Sequence, residues 1–419
     1  MFDTPLLLSQ MKRNQWLSEG ALRRISEKKL LDLIAHARAT VPFYRKSLDG
    51  MPVRSMEDLQ SLPILSKTVV RDSAERFVSS AYDRRSLQAT YTSGSTGIQV
   101  PLFYSRAESA YGVAFETHHL TECGAGLFDL QVRIAHYESR PNLLQRLGVF
   151  RCRYLDVRAD ETENLLHLAS LKPGILISYP SILLPLARIN SSEGLGLRLK
   201  LALSGGETLT PAVRKEISSS FGCPVFDRYG SMESSWAAWE CREGSLHIQE
   251  DMVVVEIVGE DGKGLPDGKA GTIVVTPLWR RAMPFIRYSL GDTGSFGPPC
   301  ACGRGLRTLR VARGRQDDIL VLPSGKIRSA RSINLMDDIP GMLSYQIIQE
   351  NPSLFVFRYV PSGGLGAKER KEVESRIRAG CLGEEVRVEF EVVPSIARGR
   401  TGKIQTVMSK VRADAGSGE

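Results

Sequence analysis

Apolar residues recur at helical spacing through residues 22–45 (Leu22, Ile25, Leu30, Leu33, Ile34, Ala37) and run up to Val41-Pro42. A helix is predicted that stops ahead of the proline, because the residue before a proline is pushed out of the helical region. Residues 55–62 read as a second, short helix with Ser55 as cap and Asp58 at the third helical position, and residues 68–76 as a third. These pieces predict an N-terminal helical lobe. Residues 100–104 are strand-like and residues 108–122 helical, a β-loop-β or β-loop-α setting. Beyond them, short apolar runs bounded by polar or turn residues (132–135, 175–179, 199–203) alternate with helical stretches at 165–171 and 181–189 and with a helix opened by Thr210-Pro211. Such an alternation predicts a parallel sheet covered by helices on both faces. A last β-like run, residues 319–322, turns at Pro323-Ser324-Gly325.

Composition narrows the class. A chain of 419 residues is expected to form two or three structural units. The net charge of +8 suits an anionic partner such as a nucleotide, coenzyme A or pyrophosphate. No basic run is interleaved with aromatics, which sets nucleic acid aside. No stretch reaches the ~18 apolar residues of a membrane span. The first residues lack the order of a signal peptide, so a cytoplasmic location is expected. The odd count of 7 cysteines, thinly spread, fits reduced thiols better than a disulfide framework. His118, His119, His136 and His167 share no spacing and read as surface or core residues.

The candidate chemistry begins at residues 91–98, Y-T-S-G-S-T-G-I. Thr92, Ser95 and Thr96 set hydroxyl donors beside Gly94 and Gly97, whose bare backbone leaves N–H groups open to phosphate oxygens. No Gly-Lys-Ser/Thr follows, so it is not a Walker loop. Alone, the loop suits a flexible polar connection as well. Further on, the run 199–203 leads into Ser204-Gly205-Gly206-Glu207, at the carboxyl edge of a predicted parallel strand, where a flat ligand can lie against backbone. Strand 224–226 runs into Asp227-Arg228-Tyr229-Gly230-Ser231-Met232-Glu233, which offers a ring to stack on a base and an acid to hold magnesium. Residues 283–292 end a predicted strand in Asp292, a carboxylate able to accept both hydroxyls of a ribose. Near the C-terminus, Thr401-Gly402-Lys403 places one lysine in a Gly-rich loop.

Taken in this order, T-S-G-S-T-G, S-G-G-E, R-Y-G-S-M-E, R-Y-S-L-G-D, G-R-Q-D-D and T-G-K resemble the adenylate-forming ligases, the superfamily of acyl-CoA synthetases and adenylation domains. The likeness is nearest to the phenylacetate-CoA ligase branch and its capsule-biosynthesis relatives, and it covers the chain from about Tyr91 onward. It implies an α/β fold: a large multi-layer N-terminal domain with mixed sheets flanked by helices, residues 1–314, and a small mobile α+β domain, residues 315–419. It further implies that Thr92, Ser93, Gly94, Ser95, Thr96 and Gly97 grip the phosphates of ATP. Gly205, Gly206, Glu207, Asp227, Tyr229, Gly230 and Ser231 would frame the nucleotide, Glu233 would hold Mg2+, Asp292 the ribose and Arg315 a sugar or phosphate oxygen. Asp317 would be the hinge and Lys403 the catalytic lysine. The implied reaction activates a carboxylic acid as acyl-AMP and passes it to an acceptor, coenzyme A in the larger branch. The segment I-L-V-L-P-S-G-K-I-R after Asp318 lacks the Arg-Gly-x-Asn run of the phenylacetate enzymes and is closer to the capsule-type proteins. An amine or sugar acceptor is therefore the alternative.

Cys241, His247, Cys300 and Cys302 add three thiols and an imidazole, a closed tetrahedral set for structural zinc. Trp236 and Trp239 suit either an aromatic acyl pocket or core packing. A monomer or homodimer is expected. A non-catalytic nucleotide-binding protein and a zinc-dependent hydrolase are the rival classes.

Overall fold

The computed structural model describes residues 3–91, 101–135, 143–156, 159, 161–315, 319–325, 327–329, 333, 336, 338–397 and 406–411. The chain divides into two compact units, one of Met1–Ala125 with Phe226–Ala312, the other of Gly126–Val225 with Arg313–Glu419. The expected phosphate loop Thr92–Gly97, the hinge Asp317 and Lys403 lie outside the described residues, as does His136.

In the first unit, helix Glu19–Thr40 stops where expected, with Val41 extended at φ −106 and ψ 115. Pro42 then opens a further short helix, Pro42–Ser47, because its missing N–H costs nothing at a first helical position. Two expectations need correction. Residues 55–62 form a 3-10 turn, Glu57–Ser61, that Ser55 does not cap. Instead the Asp58 carboxylate accepts the N–H groups of Arg54 and Ser55 and closes the turn from inside. The stretch 68–76 breaks at Ser73 into helix Lys67–Asp72 and a 3-10 turn, Ala74–Phe77. Helix Arg106–Glu122 carries a capping box that pairs Ser105 with Glu108.

Three antiparallel sheets follow in the same unit. Gln88–Tyr91 pairs with Pro101–Tyr104, so the expected phosphate loop connects two partnered strands. Arg228–Ser231, Ser235–Glu240 and Leu246–Ile248 form a three-stranded meander, and Val253–Val258, Gly271–Pro277, Tyr288–Phe296 and Leu309–Arg315 a four-stranded one. Leu30, Leu33 and Ile34 of the N-terminal helix share one core with Val253, Val255, Ile273, Val275 and Phe285. The N-terminal helices are thus part of this unit's core.

The second unit holds the predicted parallel sheet, in the order Cys152–Asp156, Gln131–Ala135, Ile175–Ile177, Leu201–Leu203, Val225–Phe226. Its first four strands pair in parallel, and every residue of Ile175–Ile177 and Leu201–Leu203 is buried. Leu165, Leu183, Val213 and Ile217 of the intervening helices pack with Val132, Leu176 and Ala202. A mixed sheet of Arg387–Val392, Leu354–Pro361, Met342–Asn351 and Val407–Ser409 shares a core with helix Ala367–Gly380, the expected α+β character of the C-terminal segment.

Candidate active site

Two tyrosine–carboxylate pairs organise the first unit's share of the expected site. The Tyr229 hydroxyl donates to Asp292 Oδ2 at 2.9 Å, and the Tyr288 hydroxyl donates to Glu233 Oε1 at 2.8 Å. Tyr229 and Glu233 belong to one segment, Tyr288 and Asp292 to the other, so the two segments exchange a phenol for a carboxylate in opposite senses. Hydrogen bonds to an ionised carboxylate are the stronger kind, and two of them fix both acids.

Local backbone features aim these groups. A Cβ on Gly230 would lie 2.1 Å from the Ser235 carbonyl oxygen, so only glycine lets the two strands approach there. Ser231 and Ser234 hydrogen-bond one another across the turn, Ser234 N to Ser231 Oγ at 3.1 Å, which presents Glu233 at its tip. Asp292 does not end a strand, as expected from the sequence, but sits inside Tyr288–Phe296. The register against Gly271–Pro277 shifts between Thr272 and Val274, and Gly291 takes φ +74. That bulge, at Leu290-Gly291-Asp292, re-aims the Asp292 side chain out of the strand alternation.

Arg280 was not singled out in the sequence. Its guanidinium is buried and donates to the Glu233 carbonyl at 2.8 Å, the Met232 carbonyl at 3.2 Å and the Phe103 carbonyl at 3.2 Å. Phe103 lies on strand Pro101–Tyr104, so one cation ties that strand to the backbone of Glu233. Burial pulls the Arg280 guanidinium down to about 10, where it keeps its charge at neutral pH. Two arginines, Arg280 and Arg281, inside the otherwise apolar run Leu278 to Phe285 are the signal that could have drawn attention to it.

The other expected residues fall as follows. Asp227 is half-buried; its N–H donates to Glu240 Oε2 at 2.6 Å and its Oδ1 accepts from Arg228 N at 2.9 Å. Gly205, Gly206 and Glu207 belong to the second unit and follow strand Leu201–Leu203 at the carboxyl edge of the parallel sheet, with Gly206 at φ +78. Arg315 ends strand Leu309–Arg315. Trp239 is core: it is fully buried and donates to Gln249 Oε1 at 3.0 Å. Trp236 lies half-buried under the Arg228 guanidinium, 3.9 Å from its ring centre. His118 and His119 are buried, whereas His167 is exposed.

The four expected metal ligands come together. Cys241 follows strand Ser235–Glu240, His247 sits in Leu246–Ile248, and the ligand atoms of both lie within 4.8 Å of those of Cys300 and Cys302. Burial pushes the Cys241 thiol up to about 11 and pulls the His247 imidazole below its ordinary value. None of the seven cysteines, all among the described residues, forms a disulfide. Among the described residues, no helix is long and apolar enough to cross a membrane.

Comparison with known proteins follows the same lines. Residues 321–410 match the family described as CapK C-terminal domain. The chain is 29% identical to phenylacetate-coenzyme A ligase of Thermus thermophilus over 79% of each chain. It is 28% identical to the enzyme of that name from Aromatoleum evansii, over 80% of this chain and 77% of the relative. A crystal structure of 2-hydroxyisobutyryl-CoA ligase in the postadenylation state, in complex with 2-HIB-AMP, shares the fold with a TM-score of 0.80 at 21% identity. The likeness covers 95% of this chain and 91% of that one. With a common fold and relatives matched over most of the chain, this protein is similar to the phenylacetate-coenzyme A ligases, and its residues 321–410 to the CapK C-terminal domain.

Proposed function

We propose that this protein is an ATP-dependent ligase that converts a carboxylic acid to an acyl-adenylate and transfers the acyl group to the thiol of coenzyme A. The observation that carries this reading is the crossed pair Tyr229–Asp292 and Tyr288–Glu233, with Arg280 joining Glu233 to strand Pro101–Tyr104. Carboxylates fixed in this way suit a bound nucleotide: Asp292 to accept ribose hydroxyls, and Tyr229, with Asp227, to frame the base.

Glu233 offers a hard oxygen ligand and would hold Mg2+, which supplies positive charge beside the phosphates. Thr92, Ser93, Ser95 and Thr96 contribute donors to the same oxygens, and Arg315 another. In the first step a carboxylate oxygen bonds to the α-phosphorus as the bond to pyrophosphate breaks. Two anions meet there, so the loop donors and Lys403 offset the charge that builds up. In the second step the thiolate attacks the acyl carbon and AMP leaves. Residues from 315 onward would turn about Asp317 between the steps. The Cys/His cluster has a structural part, because four protein ligands leave no open position for a substrate. Seven thiols without a disulfide fit the reducing cytoplasm.

An amine or sugar acceptor is the second reading, and the segment I-L-V-L-P-S-G-K-I-R, without the Arg-Gly-x-Asn run, is what motivates it. Mass spectrometry of reactions holding ATP, an acid panel and either coenzyme A or an amine and sugar panel separates the two. A thioester formed faster than any amide or ester supports coenzyme A; the reverse order removes it.

A further inference from the structure

The Cys/His cluster can be tested against the shape of a metal site. A tetrahedral zinc with Zn–S bonds near ~2.3 Å and a Zn–N bond near ~2.0 Å sets sulfur–sulfur edges of about 3.8 Å and sulfur–nitrogen edges of about 3.5 Å. Cys241 Sγ and Cys300 Sγ are 3.7 Å apart, and Cys302 Sγ and His247 Nε2 are 3.3 Å apart. The other ring nitrogen, His247 Nδ1, faces the Leu306 carbonyl at 3.2 Å. That hydrogen bond puts the proton on Nδ1 and turns the Nε2 lone pair toward the three sulfurs, the usual outer-shell device of a metal-bound histidine.

Charge is the next requirement. Zinc with three thiolates and a neutral imidazole carries a net charge of about −1, which a buried site must offset. Arg304 stands next in the chain after Cys302-Gly303, and its positive charge acts on both Cys302 and His247. Its side chain is only 11% exposed, and it also donates to Gln15 Oε1 at 2.8 Å and to Glu122 Oε2. Five N–H donors let one guanidinium serve both oxygens and keep donors to spare. Gln15 follows helix Asp3–Asn14, and Glu122 ends helix Arg106–Glu122. The Gly305 N–H donates to the Gln15 carbonyl at 3.0 Å, so the Cys300–Leu306 loop is seated on the end of the first helix. Met11, Leu22, Phe115, Trp239 and Leu306 pack around Cys241 in a core of their own.

We propose that Cys241, His247, Cys300 and Cys302 hold one zinc ion with Arg304 as its charge partner, and that this centre seats helix Asp3–Asn14 against the hairpin that follows Glu233. Nothing in it depends on the adenylation reading. It assigns Arg304 and Leu306 roles outside the ligand set.

Elemental analysis of the full chain purified without chelator is expected to give about one zinc per chain. Iron in its place, or zinc well below one equivalent, overturns the site. Arg304→Gln keeps all four ligands; it should hand zinc to a chromophoric chelator 10–100-fold more readily while the far-ultraviolet circular dichroism stays unchanged. Transfer at the wild-type rate removes Arg304 as charge partner. Chelation of the wild-type protein should raise amide hydrogen exchange in residues 3–17 and 241–248 above that in residues 161–221. A uniform or absent change contradicts the seating role. The pair Cys300→Ser and Cys302→Ser should lose zinc and melt lower; if it does not fold, the stoichiometry and Arg304→Gln still decide.

Discussion

The Tyr229 hydroxyl donates to Asp292 Oδ2 at 2.9 Å, which joins the ring expected to frame adenine to the acid expected to hold the ribose. Two parts of one nucleoside would therefore be recognised by groups that already position each other. Tyr229→Phe keeps the ring and removes the donor. A hydrogen bond to a charged group contributes about 1.5–3 kcal/mol, so the KM for ATP should rise roughly tenfold or more with kcat little changed. A KM for ATP equal to that of the unmodified protein removes the pairing from nucleotide binding.

Tyr288 is the partner of Glu233 in the same crossed arrangement, at 2.8 Å. Outer partners of a metal-binding carboxylate set its orientation, and their loss typically costs 10–100-fold in metal affinity or activity. Tyr288→Phe should therefore move the Mg2+ requirement of the reaction to higher concentration and leave the maximal rate at saturating Mg2+ close to that of the unmodified protein. Superimposable Mg2+ titrations contradict this.

Arg280 satisfies three carbonyl groups from two distant segments, and neither leucine nor lysine can reproduce its planar fork. Arg280→Leu leaves buried carbonyls unpaired at about 1–3 kcal/mol each. A fall in stability on the order of 3 kcal/mol is expected, read from the midpoint of urea unfolding. Arg280→Lys should recover only part of it. A leucine variant as stable as the unmodified protein shows that the three contacts carry no weight.

Burial, set against attraction from Glu122 and Asp251, pulls the His118 imidazole down to about 4. The unfolded chain titrates it near ~6.5, so between those values the unfolded state binds more protons and stability falls as pH falls. The full contribution is present above about pH 6.5 and is lost toward pH 4, on the order of 3 kcal/mol. His119, fully buried beside the Trp239 ring that His118 also meets, shifts in the same direction, also by burial first. Urea midpoints across this window should slope less in His118→Gln. An equal slope places the acid sensitivity elsewhere.

Segments whose chemistry is local were legible in the sequence. The runs at 132–135 and 199–203 are short and apolar because strands covered on both sides need no polar face, and they appear as Gln131–Ala135 and Leu201–Leu203. Tyr229-Gly230 ahead of Glu233, and Gly291 beside Asp292, marked the two segments that the structure pairs. Gln88–Tyr91 was not foreseen: Q-A-T-Y carries no marked alternation, and only its pairing with Pro101–Tyr104 makes it a strand. Arg280 stayed hidden for a similar reason, since its partners lie at Phe103, Met232 and Glu233. The end of a strand was expected at Asp292 because glycine before an acid usually marks a turn; here the same pair makes a bulge inside the strand.

Formation of the mixed anhydride is the step on which everything else depends. Radiolabelled pyrophosphate exchange into ATP, run with Mg2+ and an acid panel that includes phenylacetate, reads that step without any acceptor. Exchange that requires one acid, and that falls by on the order of 10²–10³ in Lys403→Ala, is the expected result. No acid-dependent exchange from folded protein, or full exchange in Lys403→Ala, contradicts it.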